Sequence, residues 1–133
     1  MKTTALIEMS KDGNFSIFTP NIDSTIIGLG KTVSEAKADF ENSVKEVIEA
    51  YQEHGDPLPK ELVNFSFEYK YDLASFFNFY SWINATQLAK FAGINASLMR
   101  KYKAGCTYIS EKQTAKIESA LHKLGAELTA VKL

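Results

Sequence analysis

The chain has 133 residues, 45% of them hydrophobic, and a formal net charge of -1. That length suits one core or two small cores that share an interface, and it excludes several full domains. A single cysteine, Cys106, excludes an intramolecular disulfide, and no window approaches the roughly 18 apolar residues that a membrane helix needs. The composition predicts a cytoplasmic protein with no membrane partner.

Charge is distributed unevenly along the chain. Residues 1–71 contain 7 Lys and Arg and 12 Asp and Glu, which gives a net charge of -5. Residues 72–133 contain 8 Lys and Arg and 4 Asp and Glu, which gives a net charge of +4. A basic half can follow a phosphate backbone, and an acidic half can offer a surface to a basic protein. The asymmetry therefore predicts different partners for the two halves.

The first segments of the chain predict three strands. Thr4 to Met9 alternates and ends in a turn cluster at Lys11 to Asn14, after which Phe15 to Pro20 alternates again. This pattern is typical of a β-hairpin. A third strand is predicted over Thr25 to Leu29.

A long amphipathic helix is predicted next. Thr32 to Glu35 matches the T-x-x-E capping box, and the helix is expected to stop at His54 to Pro57, where glycine and proline favour termination. Aromatic residues then alternate with polar ones from Asn64 to Tyr71, which indicates a fourth strand. The apolar positions that recur at helical spacing are Val33, Ala36, Phe40, Val44, Val47, Ile48 and Tyr51. The order predicts an α+β domain over residues 1–71, with a sheet covered on one face by one helix.

Residues 72–133 predict an all-α subdomain. Its four expected helices and their caps are Leu73 to Tyr80, Ala85 to Ala92 after Asn84, Ala96 to Ala104 after Asn95, and Lys112 to Leu124 after a capping box at Ser110 and Gln113. The tail from Glu127 to Leu133 alternates as a possible strand that pairs subunits, with disorder as the alternative.

The second and third of these helices match the pattern of a helix-turn-helix. That motif needs a small residue where the helices cross, a residue that turns sharply, and apolar residues that fix the second helix. Ala89 is expected at the crossing and Gly93 at the turn. The predicted apolar positions are Leu88, Ala92, Ile94, Met99 and Tyr102.

If Met99 and Tyr102 point inward, helical geometry turns the polar residues of the same helix outward. Arg100 is then expected to bind guanine through two hydrogen bonds, Ser97 to reach a base edge or phosphate, and the lysines to meet phosphates. A solvated face of a small helical bundle is the alternative interpretation. The predicted DNA-binding residues are Thr86, Gln87, Asn95, Ala96, Ser97, Arg100, Lys101, Lys103 and Tyr108.

The rear half closely resembles the Xre/Cro-type helix-turn-helix of HicB-type antitoxins. The segments that carry this resemblance are Ile94 to Tyr102, Lys103-Ala104-Gly105 and Ser110 to Gln113. The front half resembles the N-terminal domain of the same family in the hairpin Asp12 to Phe15, in Pro20 and in Gly30 to Ala36. The turn Asn21 to Thr25 departs from the family's usual Leu-Pro-Gly-Cys-like turn.

The resemblance implies a βββαβ truncated RNase H-like (HicB-like) subdomain that binds and blocks a small basic HicA-type ribonuclease toxin. It further implies that the rear half represses its own operon by binding double-stranded operator DNA, as a homodimer or higher homo-oligomer. The alternative is a stand-alone helix-turn-helix transcriptional regulator whose front domain senses a small ligand or mediates oligomerisation.

An enzyme that acts on RNA or nucleotides has little support. Gly30-Lys31-Thr32 resembles the end of a P-loop, but the motif needs glycine where Thr25 stands. His54 and His122 are isolated and expected near helix C-terminal ends, and Cys106 is expected in a loop. Turn and surface roles account for the carboxylates Glu8, Asp12, Asp23 and Glu68. The prediction is a protein without enzymatic activity, cofactor or metal.

Overall fold

The computed structural model describes residues 2–22 and 25–133, and within them the chain is of the α+β class, as predicted. It divides into two compact units, Met1–Lys70 and Tyr71–Leu133, which are called the first and second unit below. Within the described residues, no helix combines the length and the hydrophobicity of a membrane-spanning segment.

Four strands and one long helix build the first unit. The strands are β1 (Lys2–Met9), β2 (Phe15–Phe18), β3 (Ile27–Gly30) and β4 (Ser66–Tyr71), the helix is α1 (Val33–His54), and a 3-10 turn (Lys60–Leu62) precedes β4. The strands lie in the order β3-β2-β1-β4, and both the β1-β2 and the β2-β3 pairs are antiparallel. The predicted order of three strands, a helix and a strand is confirmed.

The third strand begins two residues later than predicted, at Ile27 instead of Thr25. The N–H of Ile26 donates to the Thr19 hydroxyl at 3.0 Å, and the N–H of Thr19 donates to the Ile26 carbonyl at 3.2 Å. Because the Thr19 side chain accepts the hydrogen bond from the N–H of Ile26, Ile26 belongs to the loop that precedes β3. Asp23 and Ser24, in the turn that departs from the family pattern, lie outside the described residues.

The hairpin turn between β1 and β2 is held by Asp12. Its carboxylate accepts hydrogen bonds from the Ser10 hydroxyl at 2.7 Å and from the Asn14 N–H at 3.0 Å, while Gly13 adopts φ 85°. The Ser10 hydroxyl first, and then the Asn14 backbone, lower the pKa of Asp12 below its ordinary value. Asp12 therefore has a structural task in the turn.

The helix α1 starts with a variant of the predicted capping box. The Thr32 hydroxyl accepts the N–H of Glu35 at 3.1 Å, but the Glu35 carboxylate accepts from Lys31 at 2.8 Å instead of from Thr32. At the other end, Gly55 takes a left-handed conformation with φ 68°. Both ends of the predicted helix are thus confirmed, with one hydrogen bond shifted by a residue.

The core of the first unit lies between α1 and the sheet. Phe40 is fully buried, and its ring meets Phe67 of β4 edge-on with centroids 5.0 Å apart. Register places Ile7, Ile17 and Gly28 side by side across β1, β2 and β3. Since a Cβ on Gly28 would lie 2.4 Å from the Phe40 nitrogen, the missing side chain lets the helix backbone approach the strand.

Four helices and one short strand build the second unit. They are α2 (Leu73–Phe79), α3 (Ala85–Ala92), α4 (Ala96–Ala104), β5 (Ile109–Ser110) and α5 (Glu111–Thr129). The four helices are confirmed, but the expectation of an all-α unit is wrong at β5. The buried residues of this unit form one cluster: Leu73, Phe77, Ala85, Leu88, Ala89, Ile94, Met99, Tyr102, Ile109, Ile117 and Ala120.

The last helix is longer than predicted. It reaches Thr129, so the possible strand over Glu127 to Leu133 is wrong, and the Thr129 hydroxyl donates to the Gly125 carbonyl one turn earlier at 2.8 Å. Gly125 does not end the helix, because the good helix formers after it continue the same apolar period. His122 consequently lies inside α5 and not at its end, with Nε2 3.9 Å from a Glu118 carboxylate oxygen.

Candidate nucleic-acid interface

The crossing of α3 and α4 depends on a small residue and a sharp turn. Ala89 has no exposed surface, and Gly93 ends α3 in the left-handed conformation with φ 72°. The N–H of Ile94 returns to the Ala89 carbonyl at 2.9 Å, which closes the end of α3. Open space surrounds the position where a Gly93 Cβ would lie, so the backbone conformation alone requires glycine.

The predicted apolar positions lie in the core of the second unit. Leu88 of α3 and Met99 and Tyr102 of α4 are all buried, as is Ile94 in the turn, while Ala92 packs against the cluster half-buried. Burial raises the pKa of Tyr102 above its ordinary value, because the phenolate would lose hydration. These contacts fix which side of α4 faces solvent.

Asparagine side chains cap both helices. The Asn84 amide oxygen accepts the Gln87 N–H at 3.0 Å, and the Asn95 amide oxygen accepts the N–H groups of Ser97 at 2.9 Å and Leu98 at 3.2 Å. This capping orients the start of each helix and satisfies N–H groups that the helix itself leaves open. Since the Asn95 oxygen is engaged in the cap, the amide nitrogen is the group of this side chain that could donate to another molecule.

The exposed side of α4 carries Ser97, Arg100 and Lys101. Residues three and four apart share one face of a helix, so these three side chains project together. Ala96, also predicted at the interface, is half-buried. Lys103 is exposed, but its ammonium lies 5.9 Å from the centre of the Phe77 ring, on the flank of the helix. The structure therefore brings three of the predicted α4 residues onto one face and sets Lys103 apart.

The remaining predicted contacts lie outside α4. Thr86 is half-buried and Gln87 exposed in the first turn of α3, where the N-terminal end of the helix dipole favours an anion. Tyr108 is 44% exposed in the segment between α4 and β5. All three belong to the second unit, as do the α4 residues.

Sequence reasoning overlooked Trp82 and a basic groove. Trp82 is 73% exposed and stands two residues before the cap of α3. The sequence did indicate that Trp82 is exposed, because the chain's single tryptophan falls between two helical patterns and belongs to no apolar period that would bury it. The groove between α3 and α5 is lined by Phe91, Lys116 and Lys123, and the Lys123 ammonium lies 5.3 Å from the centre of the Phe91 ring.

The partial P-loop match has a structural explanation. The Lys31 N–H donates to the Glu35 carboxylate and the Leu29 N–H to the Asp39 carboxylate, each at 2.8 Å. Acidic side chains of the chain itself thus occupy amides that a phosphate would need. A Cβ on Gly30 would lie 2.5 Å from the Ala36 nitrogen, so this glycine is required by helix packing.

Other reactive side chains do not converge. Among residues 2–22 and 25–133, no three His, Cys, Asp or Glu side chains form a group that could hold a metal ion. Asp23, one of the four carboxylates considered from sequence, lies outside these residues. Cys106 is exposed, and His54 Nδ1 lies 2.8 Å from the Ala50 carbonyl oxygen.

Comparison of the chain with protein-family models, curated proteins and solved structures returned no match.

Proposed function

We propose that this chain is the antitoxin of a type II toxin-antitoxin pair. In this proposal the second unit, as a helix-turn-helix, binds operator DNA and represses its own operon. The first unit, as a truncated RNase H-like domain, binds a small basic HicA-type ribonuclease. The DNA-binding part of this proposal is supported by one observation, the division of α4 into two sides. The buried side has Met99 and Tyr102, and the exposed side has Ser97, Arg100 and Lys101.

The exposed side of α4 suits the major groove of DNA. The N-terminal part of a recognition helix contacts base edges, and Ser97 and Arg100 are the second and fifth residues of this nine-residue helix. A guanidinium can donate two hydrogen bonds to guanine, which gives sequence preference. Lys101 provides a point charge for a phosphate, and Gln87 at the start of α3 provides a polar contact beside the helix dipole.

Net charge supports the same assignment. The second unit holds 8 Lys and Arg against 4 Asp and Glu, so its field attracts a polyanion. Lys103 contributes to this field although its ammonium lies over Phe77. Binding is then expected to weaken with salt, since each neutralised phosphate contributes a slope of roughly -0.9 in the logarithmic plot.

The partner half of the proposal is supported by an acidic stripe along α1. Three exposed carboxylates, Glu46, Glu49 and Glu53, follow one another at three- and four-residue steps in the second half of the helix. They span about 10 Å at 1.5 Å per residue, on the side opposite the buried Phe40 and Val44. A ribonuclease must bind a polyanion through basic residues, so such a stripe complements its surface.

The DNA-binding test uses Trp82, whose exposed indole precedes α3 and serves as an intrinsic reporter. Duplexes selected from a random pool are titrated by tryptophan fluorescence and by anisotropy at several salt concentrations. We expect Arg100→Ala to weaken the selected site by about 1–3 kcal/mol and to relax one base position. Lys101→Ala should weaken all sequences alike and reduce the salt slope by about one.

Lys45→Ala is the matched control, because Lys45 is an exposed lysine of α1 in the acidic first unit. It should leave DNA affinity unchanged. Salt-independent binding, or equal losses in Lys101→Ala and Lys45→Ala, would contradict the proposed surface.

The partner test is affinity purification of the tagged chain from its native cells with nuclease treatment. A small basic protein at stoichiometric amount supports the antitoxin proposal. The double variant Glu46→Lys with Glu49→Lys should release that protein, while Lys101→Ala in the second unit should retain it. Retention by the charge-reversed variant would contradict docking on the acidic stripe.

One observation favours a second candidate function, a stand-alone regulator that senses a small ligand. A groove of about 320 Å³ between α1 and β4 is lined by Val44, Phe65 and Phe67, with Glu41 and Lys45 beside them. Small-molecule sites are typically apolar with a few polar groups. A metabolite that changes DNA affinity of the purified chain, with no protein partner present, would favour this candidate.

A further inference from the structure

The groove between α3 and α5 lies where small residues line both of its walls. Ala92 of α3 and Ala115 and Ala120 of α5 carry only a methyl group, and the two helices leave about 410 Å³ between them. That volume lies within the range of roughly 300–1,000 Å³ that is typical of small-molecule sites. The residues that line the groove and the residues assigned to DNA contact form two separate sets.

The α5 wall of the groove presents a row of three polar side chains. Lys116, Ser119 and Lys123 follow one another at three- and four-residue steps, which places them on one face of the helix. Ser119 stands between the lysines, about 4.5 Å along the helix axis from one and about 6 Å from the other. The flexible stems of both lysines can therefore bring their ammonium groups to one anion held at the Ser119 hydroxyl.

The lining of the groove does not offset this positive charge. Both of the charged residues that line it are lysines. The Glu118 carboxylate lies 3.9 Å from Nε2 of His122 in the same helix, and both of these residues lie outside the lining. Lys90, exposed in α3 directly before Phe91, adds a further positive charge to the surroundings. The groove is thus complementary to an anion.

The α3 wall of the groove provides an aromatic surface. Phe91 is 40% exposed, and the Lys123 ammonium lies 5.3 Å from the centre of its ring. This cation–π contact holds the ammonium across the groove in the free protein, so less side-chain freedom is lost when an anion binds. A ligand ring can pack against the edge of the Phe91 ring, the arrangement that aromatic pairs favour, while its anionic group pairs with Lys123.

We propose that this groove binds a small aromatic anion, with the ring against Phe91 and Ala92 and the anionic group at Ser119 between the two lysines. The ligand class is an aromatic ring that carries a carboxylate or a phosphate. The site goes beyond the proposed DNA binding, because it uses other residues and requires no DNA. It also differs from the groove of the first unit that is lined by Val44 and Phe67.

The test is NMR titration of the isotope-labelled full chain, without DNA and at constant ionic strength, with two probes. Naphthoate carries a carboxylate and adenosine monophosphate carries a phosphate, so the two titrations distinguish the possible anionic groups. With at least one probe we expect saturable shifts of the Phe91 and Ser119 amides and a dissociation constant on the order of 1 mM or lower. Naphthalenemethanol has the ring without the charge, and inorganic phosphate has the charge without the ring. Both should bind about tenfold more weakly or less.

Lys123→Gln should raise the dissociation constant about three- to tenfold, because the anion loses one of its two ammonium partners. Lys90→Gln is the matched control: Lys90 is an exposed lysine beside Phe91 that lies outside the lining, and its loss should change the dissociation constant less than about twofold. The amide spectra also show that both variants keep their fold.

Three results would each overturn the proposal. They are the failure of both probes to bind, equal binding of naphthalenemethanol or inorganic phosphate, and equal losses in Lys123→Gln and Lys90→Gln. Shifts confined to the first unit would overturn it as well, since they would place the ligand in another groove. Because DNA titration is a separate measurement, failure of this site and failure of the proposed DNA binding are distinguishable.

Discussion

Replacing Gly28 by alanine tests how closely α1 lies against the sheet. An ideal Cβ at this position would be 2.4 Å from the Phe40 nitrogen and 2.5 Å from its Cα, about 1 Å short of the 3.4 Å at which ordinary contact begins. Both atoms belong to the helix backbone, so no side-chain rotation relieves the clash. The helix must move away from β3, which separates Phe40 from its contacts with the sheet. Overpacking of a core costs about 1–3 kcal/mol, and we expect a loss of about 3 kcal/mol here.

The matched substitution is Gly125→Ala in α5. No atom lies within 4 Å of a Cβ built there, and the residue is inside a helix. Alanine is favoured over glycine in helices by about 0.5–1 kcal/mol, so this variant should gain stability. The same chemical change is thus expected to have opposite signs in the two units.

Native-state hydrogen exchange is the suitable assay, because it reads the amides of each unit separately. Gly28→Ala should reduce protection in β1 and β2 and leave that of α3 and α5 unchanged. If β1 amides keep wild-type protection in Gly28→Ala, α1 does not lie on β3 at the described distance and the reasoning fails.

Three further predictions concern the second unit. Gly93→Ala should lower its unfolding free energy by about 1–2 kcal/mol in denaturant titration, since φ 72° strains any side chain, whereas Gly93→Asn should lose less. Asn95→Ala should cost about 1 kcal/mol in the same assay and weaken DNA binding, because two N–H groups at the start of α4 lose their acceptor. Burial raises the pKa of Tyr102, and burial followed by the charges of Glu111 and Glu118 raises that of Tyr71, above the ordinary 10.0. The neutral phenols therefore stabilise the fold fully below pH 10, and this contribution is lost as the pH rises through the folded pKa. Thermal melts between pH 9 and 11 should show the decline, and Tyr102→Phe should make it smaller; a pH-independent melt would contradict the burial argument.

Local signals predicted the caps of the helices. Thr32, Asn84, Asn95 and Ser110 each accept a backbone N–H from the residue two or three positions on. A cap involves only a few consecutive residues, so the sequence contains all the information that is needed. The strand pattern of the first unit was predictable for the same reason.

The end of α5 was not predictable in this way. Gly125 follows the predicted end at Leu124, and a glycine there ends a helix only if its backbone turns left-handed. Gly55, Gly93 and Gly105 do so, whereas Gly125 stays helical. Because glycine accepts both conformations, the residue type at position 125 did not by itself fix where the helix ends.

In the candidate site, too, some features were predictable from local sequence and others depended on long-range packing. Periodicity alone assigned Met99 and Tyr102 to one side of α4 and Ser97, Arg100 and Lys101 to the other, because a helix repeats every 3.6 residues. The position of Lys103 over the Phe77 ring depends on packing between segments that are distant in sequence. By itself the sequence determined the order of the five helices and of the first four strands, the caps of the helices and the two sides of α4, but not β5 or the end of α5. Only the tertiary structure decided which sides meet, such as the backbone of Phe40 against Gly28, because that depends on residues far apart in the chain packing without clash.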